Sequence, residues 1–151
     1  MNKATEILLV EDNLNDIELT LHALRAENLA NQIHVARDGE EALDYLFNRG
    51  AHANRKSSDH PHLVLLDLKL PKVHGMEVLR QIKGDPALRR IPVVILTSSR
   101  EDRDLIESYD LGVNSYIQKP VEFDKFREII KRLGLYWLVV NERPVGNNNP
   151  G

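Results

Sequence analysis

The stretch that decides the fold is LVLLDLKLPKVHG, Leu63 to Gly75, in which four apolar residues run straight into Asp67. A carboxylate is almost never fully buried without a partner, so Asp67 must either reach water or meet a compensating cation. Short unbroken apolar runs of this kind suit strands that are covered on both faces. Two more occur at ILLV (Ile7 to Val10) and VVIL (Val93 to Leu96), with weaker versions at IHVAR (Ile33 to Arg37) and SYIQK (Ser115 to Lys119). Between the runs, apolar residues fall at helical spacing. Leu14, Ile17, Leu21 and Leu24 form the first stripe; Ala42, Leu43, Leu46 and Phe47 the second; Met76, Leu79 and Ile82 the third. Leu105, Ile106 and Tyr109 come next, and Phe123, Phe126, Ile130 and Leu133 close the series. Strand and helix alternate five times, which predicts an α/β fold: a doubly wound five-stranded parallel sheet flanked by five helices, with right-handed crossovers.

The chain has 151 residues, 42% of them hydrophobic, which is material for one compact core. We expect a single domain over 1–140 and a disordered tail over 141–151, where GNNNPG is polar and glycine-rich. A net charge of −3 without a basic run gives no electrostatic reason to expect nucleic acid or a membrane surface as partner. With no cysteine there is no disulfide framework or thiolate metal site, which suits the cytoplasm. The start, MNKATEILLVEDN, meets charge too soon for a signal peptide or a membrane span. Residues 48–61 are polar and read as a long loop.

The residues directly after the three strongest strand runs are polar, Glu11 and Asp12, then Asp67, then Thr97, and the fifth run leads into Lys119 followed by Pro120. In open α/β sheets the ligand crevice lies beyond the carboxyl ends of the strands. The topology therefore brings three carboxylates, a hydroxyl and an ammonium into one small volume. Clustered carboxylates raise one another's pKa, and one lysine leaves the cluster negative. A hard divalent cation resolves this, and Mg²⁺ binds through a few carboxylates together with phosphate. An Asp carboxylate can accept a phosphoryl group, and that transfer needs mainly positioning and charge neutralisation. Mg²⁺, Lys119 and the Thr97 hydroxyl would each take one phosphoryl oxygen.

The motifs VEDN (Val10 to Asn13), LLDLKLPKVHG (Leu65 to Gly75), LTSS (Leu96 to Ser99) and YIQKP (Tyr116 to Pro120) together resemble a response-regulator receiver domain of the CheY type. The resemblance runs from Ile7 to about Leu133 and implies a two-component signalling protein phosphorylated by a sensor histidine kinase. It implies Asp67 as phosphoryl acceptor, Glu11 and Asp12 as the acidic pair for Mg²⁺, and the backbone carbonyl of Lys69 as a further metal ligand. Thr97 would be the switch hydroxyl, Tyr116 the switch aromatic, Lys119 the phosphate-binding lysine, and Pro120 the residue after a cis peptide bond. Ser98 stands where the family more often has alanine, while Lys69 and Ser99 hold positions that tune the phosphoryl lifetime. The loop before the third strand and the ending YWLVVNERP resemble the small regulators that accompany bacterial phytochromes.

Simpler roles exist for each residue. Glu11 and Asp12 could cap the first helix, or Asn13 with Asp16 could do so. Thr97 could be an ordinary strand end, Lys119 a solvated charge and Tyr116 a packing residue. His52, His60 and His62 share the loop but match no zinc spacing and read as solvated, and His22 reads as surface. A haloacid-dehalogenase-like phosphatase would need a second Asp where Lys69 stands, and a flavodoxin-like binder would not place EDNLND at its phosphate loop. A phosphorylation-independent adaptor of the same fold remains open. The segment after Leu133 is too short for an output domain, so protein contacts should carry the signal to a downstream target the sequence does not name. Tyr136, Trp137, Leu138, Val139 and Val140 form a second apolar cluster, which predicts a homodimer through the fourth helix, fifth strand, fifth helix and this C-terminal segment.

Overall fold

The computed structural model describes residues 6–26, 32–55, 60–97, 100–109, 112–113 and 115–132. The elements run β1 (Glu6–Val10), α1 (Leu14–Ala26), β2 (Gln32–Ala36), α2 (Gly39–Leu46), a 3-10 turn at Gly50–His52, β3 (Leu63–Asp67), α3 (Gly75–Gly84), β4 (Val93–Thr97), α4 (Arg100–Tyr109), β5 (Ser115–Gln118) and α5 (Phe123–Arg132). The sheet is parallel throughout, in the order β2-β1-β3-β4-β5. No helix among the described residues is long and apolar enough to cross a membrane.

Because alternate strand residues point to opposite faces, each short apolar run serves two cores at once. Leu8, Val10, Val64, Leu66, Val93 and Ile95 face one side and pack with Ala42, Leu43 and Leu46 of α2 and Val78, Leu79 and Ile82 of α3. Ile7, Leu9, Leu63, Leu65, Val94 and Leu96 face the other and pack with Ile17 and Leu24 of α1 and Phe126 and Ile129 of α5. The register aligns Val10 with both Ala36 and Leu66, and Asp67 with Leu96, so the strands end level along one edge of the sheet.

Several expectations shift. Asp67 and Thr97 are the last residues of their strands rather than the first beyond them; β2 begins at Gln32, and β5 stops at Gln118. Leu14, the first residue of α1, is 62% exposed, while Thr20 and Ala23 are buried together with Ile17 and Leu24. In α5 Ile129 joins Phe126 in the core. The side chains of Leu105, Ile106, Tyr109, Phe123 and Ile130, together with Ser98, Ser99, Leu133, the Tyr136–Val140 cluster and the 141–151 tail, lie outside the described residues.

The segment 48–61 corrects a second expectation. Arg55 ties it down, its guanidinium 3.7 Å from the Tyr45 ring centroid, 3.6 Å from Glu6 and bonded to Asn48 Oδ1 at 3.2 Å. His52 is not a solvated loop residue, since it packs edge-on against both His34 and Tyr45 at 5.1 Å. His62 Nδ1 accepts the Glu6 amide at 3.0 Å, and His60 is half-buried. The segment's described residues His52 and Arg55 pack on Tyr45, which offers them an aromatic face beside β2. His22 is exposed, as expected.

Candidate functional site

The site is built where strand order reverses, between β1 and β3, the usual position of the ligand crevice. After β1, the Glu11 amide still bonds to Ala36 O at 2.9 Å, so the chain leaves the sheet only at Asp12. Asn13 then caps α1: its Oδ1 accepts the Asp16 amide at 2.9 Å and its carbonyl accepts Ile17 N at 2.9 Å. With that cap made by Asn13, Asp12 is not needed for it, and Glu11 contributes only by accepting the Asn13 amide at 3.2 Å.

On β3 the loop after Asp67 doubles back tightly. Leu68 O accepts both Leu70 N at 3.1 Å and Gly75 N at 2.9 Å. A Cβ at Gly75 would lie 2.5 Å from Asp67 O and 2.6 Å from Leu68 Cα, which is why glycine opens α3 there. Lys69 brings its amide to 3.4 Å from Asp67 Oδ1 and its ammonium to 3.9 Å from Asp102. Across the sheet, the Lys119 amide bonds to Thr97 O at 2.9 Å, and the Lys119–Pro120 peptide bond is cis.

These turns bring carboxylate oxygens of Glu11, Asp12 and Asp67 within 4.8 Å of one another. Lys119 Nζ reaches into the same group, 2.6 Å from Glu11 Oε1, 3.0 Å from Asp16 Oδ2 and 3.4 Å from Asp67 Oδ2. Asp16 was not expected at the site. It arrives because the Asn13 cap fixes the phase of α1 and Asp16 lies in the first turn of that helix. Three carboxylates thus surround one ammonium, with Asp12 beside Glu11 and Asp67. At an effective dielectric near 20, two like charges about 4.8 Å apart repel by about 3–4 kcal/mol. Burial pushes the Glu11 carboxyl up to about 7, Lys119 opposes that shift, and the charge of Asp67 adds to it. For Lys119, burial alone would lower the pKa, but the bonds to Glu11 and Asp16 and the charge of Asp67 outweigh it, so the ammonium is held charged. An all-oxygen, over-negative and largely buried donor set fits a hard divalent cation.

Thr97 is buried at the end of β4, next to the strand that carries Asp67. Tyr116 is half-buried on β5, opposite Ile95, with the Arg103 guanidinium 4.8 Å from its ring centroid. Burial raises the phenol's pKa, Glu107 adds to the rise and Arg103 opposes it.

Residues 7–131 match the family model described as the response regulator receiver domain. The chain belongs to the response regulator receiver family. Its sheet order and flanking helices are those of the receiver fold, as the solved bacteriophytochrome response regulator AtBRR shows at a TM-score of 0.83 and 57% identity, over 90% of this chain and 96% of that one. Response regulator Rcp1 of Synechocystis is 39% identical over 137 residues, 91% of each chain. The Mn²⁺-bound form of Rcp1 has a TM-score of 0.71, covering 89% of this chain and 94% of that one. The probable methanogenesis regulatory protein FilR2 of Methanothrix harundinacea is 45% identical over 139 residues, 91% of this chain and 86% of that one. This receiver is thus a two-component signalling protein with phytochrome response regulators among its relatives.

Proposed function

We propose that Asp67 accepts a phosphoryl group from the phosphohistidine of a sensor kinase, in a reaction requiring Mg²⁺ held by Glu11, Asp12, Asp67 and the Lys69 carbonyl. The observation that carries this is the crowding of three carboxylates around Lys119, with Asp67 Oδ2 3.4 Å from its ammonium and Asp12 within 4.8 Å of Glu11 and Asp67. An Asp67 oxygen attacks phosphorus, the P–N bond breaks, and the electron pair leaves on the imidazole, which is protonated from solvent. When bound, Mg²⁺ supplies the positive charge that lets a phosphoryl group approach this acidic pocket. Lys119 pairs with a second phosphoryl oxygen and the Thr97 hydroxyl with the third. Drawing Thr97 inward opens space beside β4 for Tyr116 to turn from its half-buried position, shifting an existing equilibrium. The chain acts as a phosphoacceptor rather than as an enzyme on other substrates, and Lys69 stands where a dehalogenase-type phosphatase would carry its second Asp.

A phytochrome-type histidine kinase is the donor we favour, on the likeness to the bacteriophytochrome response regulator AtBRR. Two copies pair through α4, β5, α5 and the segment beyond Leu133, and the pair passes the signal to a protein target. Incubation with an autophosphorylated phytochrome kinase tests the central step. Label should pass to the wild type within minutes when Mg²⁺ is present and should not pass to Asp67→Asn. A phosphorylation-independent adaptor would leave the label on the kinase in both cases.

A further inference from the structure

We propose a second cation site, outside the acidic pocket, in which His34, Glu41 and His52 bind one zinc-type divalent ion with water completing the shell. The three residues come from β2, α2 and the 3-10 turn, and each offers a ligand atom within 4.8 Å of the others. Glu41 Oε2 lies between the two imidazoles, 3.5 Å from His34 Nε2 and 4.0 Å from His52 Nε2. Ligand atoms at the usual zinc bond lengths of about 2.0–2.2 Å sit roughly 3.3–3.6 Å apart on a tetrahedron, so the three atoms, now within 4.8 Å of one another, must draw in by up to about 1.5 Å.

A second observation points the same way. Among the described residues His34 Nε2 is shut away from solvent and makes no well-formed hydrogen bond, its one near polar neighbour being Glu41 Oε2 at 3.5 Å, so its lone pair is poorly used without a further partner. The ring cannot easily turn aside, because it stacks on Tyr45 with centroids 4.0 Å apart and planes 8° from parallel. Glu41 is held as well, its Oε1 accepting the Arg37 amide at 3.1 Å, which leaves Oε2 facing the histidines. Arg55 is a neighbouring cation. It is engaged with Glu6 and lies over Tyr45 at 3.7 Å, on the ring face opposite His34, since both groups cannot share one face.

Two nitrogens and one carboxylate favour zinc or a neighbouring transition ion over Mg²⁺, which seeks oxygen ligands. The donor set therefore differs in kind from the acidic pocket. Bound there, the ion would pin the start of the 48–61 segment to the edge of the sheet.

Calorimetric titration of the whole chain with Zn²⁺, in saturating Mg²⁺ and with Asp12→Ala to remove the first site, tests the proposal. One equivalent should bind. His52→Ala and Glu41→Gln should each weaken it by more than about tenfold, because even outer partners of metal ligands carry about 10–100-fold in affinity. Glu41→Gln keeps the shape of the side chain and guards against a folding artefact, and Co²⁺ should show the visible absorption of a tetrahedral site. No binding, or binding that neither variant changes, would overturn the assignment.

Discussion

Removing Asp12 should make the metal-free protein more stable, since its carboxylate adds a third negative charge within 4.8 Å of Glu11 and Asp67. Asp12 is only half-buried, so we expect a gain of about 1 kcal/mol by urea denaturation in EDTA, with Mg²⁺ binding weakened at least about tenfold. A variant less stable than wild type would mean the charges are not in conflict. His34 gives a test in pH. Burial lowers its pKa below the usual 6.5, with His52 adding to the shift. The unfolded chain then takes up a proton before the folded one does, so stability should fall as pH drops below about 6.5. In chelator, His34→Gln should flatten that part of the curve, and an unchanged slope would contradict the assignment. At this scale Glu11, Asp12, Asp67, Thr97 and Lys119 were legible because each ends or follows a strand and strand ends converge. Asp16 and the His34, Glu41 and His52 group were not, because the first depends on helix phase and the second joins three elements separated in sequence.

Among the elements, the β3–α3 connection sets the position of Asp67, the proposed acceptor, most directly. Gly75→Ala places a methyl against Asp67 O and Leu68 Cα, where backbone must shift rather than a side chain. We expect a loss of about 1–3 kcal/mol, read by urea denaturation, together with slower phosphoryl acceptance. Wild-type values for both would show that the connection has slack. The three strongest strands were readable as unbroken apolar runs because parallel strands are covered on both faces. β2 was weaker in sequence because it lies at the sheet edge, where Gln32 is exposed and Ile33, His34 and Val35 are only half-buried. The 3-10 turn at Gly50–His52 was hidden within a polar stretch, since the aromatic cluster that holds it forms only when β2 and α2 are in place.

For the whole molecule, two layers of helix on one parallel sheet result from the alternation of elements, whereas the pairing we propose draws on sequence beyond α5. Trp137 and its apolar neighbours lead us to expect concentration-dependent dimers in sedimentation velocity. A chain cut after Leu133 should sediment as a monomer; equal behaviour of the two chains would place pairing elsewhere or remove it. The central claim, that Asp67 is a Mg²⁺-dependent phosphoryl acceptor, is tested most directly by intact-mass spectrometry after treatment with a small phosphodonor such as acetyl phosphate. The account predicts a single added phosphoryl group in Mg²⁺, mapped to Asp67, absent in EDTA and absent from Asp67→Asn. A phosphoryl group carried elsewhere in the wild type, or full labelling in EDTA, would contradict it.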